Sequence, residues 1–397
     1  MTGGLLQAAL LLGFAIEQVD ARPEPVKAPC LETVRRAALA SGITEATWFA
    51  ATDGFTPDSS VLAADRRQPE FTLPIWDYLA VLVDSERVAD GVARLAAWDS
   101  VLTGIEAKTG VERNVLVAIW GVESDYGRAM GQRPLIRSLL TGACFGRRPR
   151  LFKEQLIAAL KIVDRNEIPL DRLVGSWAGA FGQTQFMPTT YLALAADGDG
   201  DGRRDVIGSV PDALASAARY LKRAGWAAGE RWGFEVRVPK AYRGPAGRRA
   251  TESLARWSTL GITRVDREPL AGSTKAALLR PAGPAGPAFL VLRNFTAIFR
   301  YNAAESYALA IGHLADRLAG GAEFVTPWPT DDRGLSRAER REVQERLTKV
   351  GFDPGRADGS LGAKTRAAIA DYERRHGLPV TSRPGGLLLE RLRAELP

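Results

Sequence analysis

The chain has 397 residues, too many for one ordinary hydrophobic core, so two packed subdomains and a small appendage are the expected layout. Lys and Arg total 53 against 46 Asp and Glu, a net +7 that suits a polyanionic partner without naming one, and the arginines are spread out in the manner of a solvated surface. With two histidines and no G-x-G-x-x-G, G-x-S-x-G or Walker loop, histidine zinc sites, nucleophile relays and phosphate cradles have little to draw on, and carboxylate chemistry remains.

Leu5 to Ile16 form an apolar run too short to span a bilayer and of the length of a secretory h-region. No basic residue precedes it and Val19-Asp20-Ala21 is a poor cleavage site, yet residues 1–29 are best read as a signal peptide and N-terminal extension. Lys27-Ala28-Pro29 before Cys30 is no lipobox, so a lipid anchor is not expected. The two cysteines, Cys30 and Cys144, either pair in an oxidising compartment or stay as two buried thiols.

From Leu31 to Gly225 the pattern is helical. Pro74 to Arg94 alternates apolar and polar positions near every 3.6 residues, and Phe152, Leu156, Ala159, Leu160 and Val163 share one face between Arg150 and Val163. After Trp226 the period changes. Phe234 to Val238 alternates at period two, and Ala276 to Arg280 is parted from Ala288 to Leu292 by the breaker-rich residues 281–287. A small β-containing subdomain, about residues 227–295, is therefore predicted as an insertion in the helical body. Helical spacing returns at Glu305 to Ile311, and the setting of His313 reads as core packing.

Residues 326–335, with Pro327, Pro329, Asp331, Asp332 and Gly334, read as a linker. Beyond it Ser336 and Glu339 form a capping box opening a helix with Val343, Leu347 and Val350 on one face, ended by Gly351. A second helix from about Ala363 carries Thr365, Ile369 and Tyr372 and stops near Gly377. Residues 336–397 are thus a separate unit, small but large enough to fold alone.

Two segments carry the chemistry. Val115 to Trp120 is an apolar helix with a lone carboxylate, Glu123, at its end, and Gly179 to Pro188 is a glycine-rich, aromatic and amide-bearing loop of the kind that lines a sugar cleft. Protonating a glycosidic oxygen near neutral pH requires a carboxylic acid of raised pKa. Apolar surroundings and the negative end of a helix both disfavour the carboxylate at Glu123; a surface glutamate in a helix cap is the bland alternative. Most glycoside hydrolases pair two carboxylates, but Asp125 is two residues on and does not face Glu123 on a helix.

From about Cys30 to Leu318, through several separate motifs in order, the chain resembles the membrane-bound lytic murein transglycosylase B family, enzymes that cut bacterial cell-wall glycan. The resemblance implies a mainly α fold: a lysozyme-like helical lobe with an inserted small β-containing subdomain, then a small C-terminal three-helix domain. It implies Glu123 as catalytic acid/base and Ser176, Gln185, Tyr220, Asn302 and Tyr307 as substrate-binding cleft residues. Gln185 and Asn302 can bond acetamido groups, while Tyr220 and Tyr307 offer a stacking face or a phenol hydrogen bond to a sugar or to Glu123. Position 304 is Ala where the family pattern has Ser. Val343 to Leu347, Asp358 to Gly362 and His376 to Leu378 resemble a three-helix peptidoglycan-binding domain, with Glu373 where that pattern has Gln. Residues 30–325 are then the catalytic domain, 326–335 the linker and 336–397 the wall-binding domain.

The implied activity is cleavage of the MurNAc-GlcNAc β-1,4 bond of peptidoglycan with formation of 1,6-anhydro-MurNAc ends. One acid suffices for it: Glu123 protonates the leaving oxygen and then, as a base, takes the proton of the muramyl C6 hydroxyl. A hydrolytic muramidase and a catalytically silent wall-binding protein are the alternatives. The implied partners are peptidoglycan glycan strands, with no nucleic acid and with room for other cell-wall enzymes; the implied state is a monomer in the periplasm.

Asp197 to Asp205 fits the first half of an EF-hand loop, but position 12 is Gly208 rather than a bidentate Glu. Asp197, Asp199, Asp201 and Asp205 are the candidate ligands of a weak structural calcium, against a solvated Asp-Gly turn. The chemistry itself requires no cofactor.

Overall fold

The computed structural model describes residues 28–66 and 73–396. The run Leu5 to Ile16 lies outside them, and the signal-peptide reading with it. No helix among the described residues is long and apolar enough to cross a membrane.

Helices dominate up to Arg223, as the spacing predicts. Pro149–Asp164 opens with a proline, whose missing N–H would have had no partner in a first turn, and buries Phe152, Leu156, Ala159 and Leu160. The pattern over residues 74–94 is two helices, Ile75–Leu82 and Ser85–Ala97. They part at Asp84, whose carboxylate accepts the Arg87 backbone N–H at 2.9 Å and caps the second helix. Apolar spacing runs on through such a cap and does not register it.

The helix Arg113–Ser124 is the spine of the lobe, with every residue from Val115 to Ser124 buried. A helix enclosed on all sides must lie inside a bundle. It packs against Glu305–Leu318, Ser85–Ala97 and Val210–Arg223, so the end of the lobe's sequence returns to its middle. Val117, Ile119 and Val122 are fully enclosed. Each such side chain contributes roughly 1.5–3 kcal/mol of burial, the reserve against which a buried acid on the same helix is set. Cys30 and Cys144 are joined in a disulfide, which ties the first helix, Ala28–Ala40, to Leu135–Phe145 across 114 residues of sequence.

Between Trp226 and Arg293 lies an antiparallel five-stranded sheet, in the spatial order Thr251–Ser253, Lys275–Leu279, Ala288–Val291, Gly233–Arg237, Thr263–Arg264. Phe234 and Leu278 both pair with Leu290, and this face packs with Trp257 and Ile262 into a second core. The opposite face is covered as well. There the buried Glu235 accepts the backbone N–H groups of Val325 (2.7 Å) and Thr326 (2.8 Å), fixing the chain as it leaves the lobe.

The C-terminal unit has three helices, Arg337–Lys349, Ala363–Arg375 and Gly386–Glu395, around Val343, Leu347, Ile369, Tyr372 and Leu389. Its capping box is formed. Glu373 turns inward and accepts the N–H groups of Thr381 (2.8 Å) and Ser382 (2.9 Å), closing the loop before the last helix.

Residues 326–335 do not hang as a free tether. An added Cβ on Gly334 would lie 2.7 Å from the Ala80 Cβ, so the chain is pressed onto Ile75–Leu82. Arg383 of the C-terminal unit grips Asp77 of that helix through two 2.7 Å bonds. Trp76, Trp328 and His313 wall a cavity of about 390 Å³ beneath this strap. His313 is packed as its setting suggests, stacked 3.8 Å from the Phe324 ring. Proline and glycine content reports backbone freedom; the docking comes from arginines on the following domain, which composition does not reveal.

Candidate active site

The helix Arg113–Ser124 ends because Asp125 and Tyr126 both take left-handed backbone, with φ of 52° and 58°. Such residues persist only when their surroundings hold them. The Tyr126 hydroxyl donates to the Arg87 carbonyl at 2.8 Å, and its ring lies so close to Gly121 that a Cβ there would meet it at 2.6 Å. Glu123, just before this turn, is 2 % exposed.

The Tyr307 hydroxyl donates to Glu123 Oε1 at 2.6 Å. Burial pushes the Glu123 carboxyl up to about 8, with the Tyr307 bond pulling the other way, and no carboxylate of the described residues enters the balance. Glu123 therefore keeps its proton at neutral pH. At Asp125 burial also opposes ionisation, but the hydrogen bonds and charges of Arg337, Arg128 and Arg87 prevail and hold it at about 2. Two acids two residues apart are thus set to opposite protonation states.

Around Glu123 stands a wall of aromatic rings. Tyr301 lies 4.7 Å from Tyr220 and stacks on Tyr307 at 6.5 Å, and Phe186 touches both Tyr220 and Tyr301 at 6.1 Å. The Tyr220 hydroxyl donates to the Arg300 carbonyl at 2.5 Å rather than to Glu123, so of the two phenols offered by the sequence, Tyr307 alone reaches the acid. Burial, then the nearby Glu123, raises the Tyr301 and Tyr307 hydroxyls well above the usual phenol range, so both remain donors.

The loop of residues 176–186 is folded back on itself. Ser176 Oγ accepts the Ala180 N–H at 3.0 Å, and Phe181 and Phe186 exchange backbone bonds. Gly182 has φ 77° and its missing side chain leaves room for the Val206 carbonyl, 2.7 Å from where a Cβ would stand. Gln185 spends its Nε2 on the carbonyls of Gly182 (2.7 Å) and Met130 (3.1 Å), bracing the loop against the residues after the Asp125-Tyr126 turn. Ser124 Oγ donates to the Gln183 carbonyl at 2.5 Å and joins the loop to the helix end. Asn302 is buried with its Nδ2 lacking a hydrogen-bond partner. Ala304 caps the following helix with no side-chain bond, the consequence of Ala in place of Ser.

The acidic loop gathers a different set of carboxylates from the four that its sequence suggests. Asp197, Asp199 and Asp212 bring oxygens within 4.8 Å of one another. Asp205 instead pairs with Arg172 at 3.0 Å and accepts the Ile207 and Gly208 N–H groups, and Asp201 accepts that of Arg203 at 2.7 Å. EF-hand numbering ends at Gly208; here the last acid arrives four residues later, in the first turn of Val210–Arg223, where its oxygens accept the Gly198 (2.7 Å) and Asp205 (2.6 Å) N–H groups. Asp212, Tyr301 and Arg87 are the residues that motif spacing passed over. Tyr301 alone left a trace, as the aromatic neighbour of Asn302.

The model of the Transglycosylase SLT domain matches residues 27–316, and that of a peptidoglycan binding domain matches residues 336–392. Membrane-bound lytic murein transglycosylase B of Escherichia coli (strain K12) is 32% identical over 248 residues, covering 61% of this chain and 66% of that protein. The crystal structure of SltB3 from Pseudomonas aeruginosa in complex with NAG-anhNAM-pentapeptide is 48% identical, covers 91% of this chain and 98% of its own, and superposes with a TM-score of 0.74. The Escherichia coli lytic transglycosylase Slt35 in complex with calcium is 27% identical over 77% of this chain and 98% of its own, with a TM-score of 0.66. With a buried, protonated glutamate at the centre of a lysozyme-like lobe and these relationships along almost its whole length, the chain belongs to the SLT-domain lytic murein transglycosylases and carries a C-terminal peptidoglycan-binding domain.

Proposed function

We propose that this enzyme cuts the MurNAc-GlcNAc β-1,4 bond by transfer to the muramyl C6 hydroxyl, leaving 1,6-anhydro-MurNAc ends. One observation carries the reading: Glu123 is a buried carboxylic acid, protonated at neutral pH, with no second carboxylate of the described residues among the groups that perturb it. Its proton passes to the glycosidic oxygen as the C1–O bond breaks. The carboxylate so formed takes the C6 hydroxyl proton as that oxygen bonds to C1, and Glu123 ends as it began. Leaving oxygen and C6 lie on the same face of the β-linked ring, so one carboxyl serves both. An inverting hydrolase would need a second carboxylate on the other face to activate water.

The supporting groups fit this cycle. Tyr307 stabilises the transient carboxylate by donating to Oε1. Asn302 Nδ2 is a buried donor suited to an acetamido oxygen, since leaving it unmade costs energy that the substrate can recover. SltB3 has been solved with both NAG-NAM-pentapeptide and NAG-anhNAM-pentapeptide, which favours the anhydro product for this chain also. Digestion of purified sacculi followed by mass spectrometry tests the reading: anhydro ends support it, reducing ends indicate a muramidase, and intact sacculi a silent wall binder.

The Cys30–Cys144 disulfide favours an oxidising compartment, and with a peptidoglycan substrate the periplasm is the proposed location, with the monomer as the working unit. Calcium is the proposed occupant of the Asp197, Asp199 and Asp212 cluster. Three carboxylates this close repel one another without a cation, and the Asp212 carboxyl is raised by burial, then by Asp199 among other influences. Bound there, calcium would supply charge neutralisation to the acidic loop and take no part in proton transfer.

A further inference from the structure

We propose that Arg337, a residue of the C-terminal wall-binding domain, is a positioning residue for transglycosylation: its two-pronged grip on Asp125 fixes the left-handed turn that holds Glu123 against Tyr307. The inference rests on Glu123 being the acid/base.

Arg337 reaches across 212 residues of sequence to donate Nη2 to Asp125 Oδ1 at 2.8 Å and Nη1 to Oδ2 at 3.2 Å. The pair is largely shielded, with side chains 19 % and 16 % exposed. A fork-on-fork guanidinium and carboxylate fix orientation as well as distance. Arg337 is itself held, being the first residue of a helix opened by the Ser336 and Glu339 capping box.

The turn it grips needs holding. Asp125 and Tyr126 are consecutive non-glycine residues at positive φ, a backbone state that relaxes unless neighbours enforce it. Tyr126 is enforced from within the lobe, by Arg87 and Gly121. Asp125 has three arginines, and two of them are divided. Arg87 also donates to the Gly121 carbonyl and stands 3.6 Å from Asp125, and Arg128 shares its charge with Asp90. The bidentate contact comes from the other domain.

Two further pairs, Arg341 with Glu86 and Arg383 with Asp77, dock the same domain on Ser85–Ala97 and Ile75–Leu82. They secure the platform from which Arg337 reaches the catalytic turn. Between that turn and Glu123 lies only Ser124, whose hydroxyl binds the Gln183 carbonyl, so a relaxed Asp125 would move both the acid and the cleft loop. The wall-binding domain thus completes the catalytic helix end in addition to capturing substrate.

The test uses the full chain and a soluble glycan oligomer. Arg337→Ala should lower kcat about tenfold with KM nearly unchanged, short of the ~10²-fold that a 1 Å misplacement can cost. Arg337→Lys, which keeps charge but not the fork, should recover part of it. Asp125→Asn should cost a similar factor, and the double variant should cost no more than either single one. Circular dichroism and sacculus pull-down should show folded protein that still binds wall. Parental kcat in folded Arg337→Ala, or multiplying effects in the double variant, would overturn the proposal. Should Glu123→Gln stay active, the acid/base reading itself fails; should it be inactive while Arg337→Ala is parental, only the present inference does.

Discussion

Tyr307 and Glu123, 184 residues apart in sequence, meet through a 2.6 Å hydrogen bond inside the lobe. Both side chains are at most 2 % exposed, so a proton on the acid and one on the phenol are held where water cannot buffer either. A site built this way is tuned for proton donation at a cost in stability.

That cost predicts the behaviour of Glu123→Gln. A lost general acid typically lowers kcat ~10²- to 10⁴-fold. The carboxyl titrates near 8 in the folded chain against an ordinary 4.5, so the folded state keeps a proton that the unfolded chain releases. Its contribution is full below pH 4.5 and is lost progressively up to pH 8, by roughly 4 kcal/mol in all. The variant should therefore melt above the parent at pH 8, with the gap closing toward pH 5. Equal melting temperatures across that range would contradict the buried acid.

Tyr307→Phe removes the one group among the described residues that favours the Glu123 carboxylate. The alkaline limb of the kcat profile, near pH 8 in the parent, should move to higher pH. The transient carboxylate also loses a charge-assisted bond, typically worth about 1.5–3 kcal/mol, so kcat should fall about tenfold or more. A pH-rate series on soluble glycan reads both effects.

Truncation after Thr330 separates capture from positioning. Loss of a tethered binding domain lowers effective concentration on insoluble wall and should leave soluble glycans untouched. Loss of Arg337 as well should slow soluble turnover about as much as Arg337→Ala does. Rates on sacculi should then drop by the larger factor, and rates on short glycans by the smaller. Unchanged turnover of short glycans would make the domain a tether alone.

Calcium should raise the melting temperature of the parent and have little effect on Asp197→Asn/Asp212→Asn, with Asp201→Asn retaining the response. Melting curves with millimolar calcium and with chelator decide it. A full response in the Asp197/Asp212 variant would move the ion elsewhere.

Replacing Cys30 and Cys144 by Ser releases a span of 114 residues. The chain-entropy estimate for a loop of this size is about 4–5 kcal/mol, so the double variant should melt several degrees lower. Calorimetry of the two proteins is the check.

The sequence by itself determined the elements whose signal is local. Helix spacing at Arg150 to Val163, period two at Phe234 to Val238 and the Ser336 and Glu339 capping box each depend on residues within a turn or two, and each is found in the fold. The burial of Glu123 was legible too, because it stands at the end of an apolar run, and burial is what raises its carboxyl. The break at Asp84 was not, since a cap leaves the apolar period intact. Nor were the partners that come from a distance. Asp212 joins the acidic loop only because a helix begins where it does, Tyr301 enters the aromatic wall through ring packing, and Arg337 reaches Asp125 only because two domains dock. Local pattern fixes what a segment buries; which charges and rings then face one another is settled by packing, and packing has no period to read.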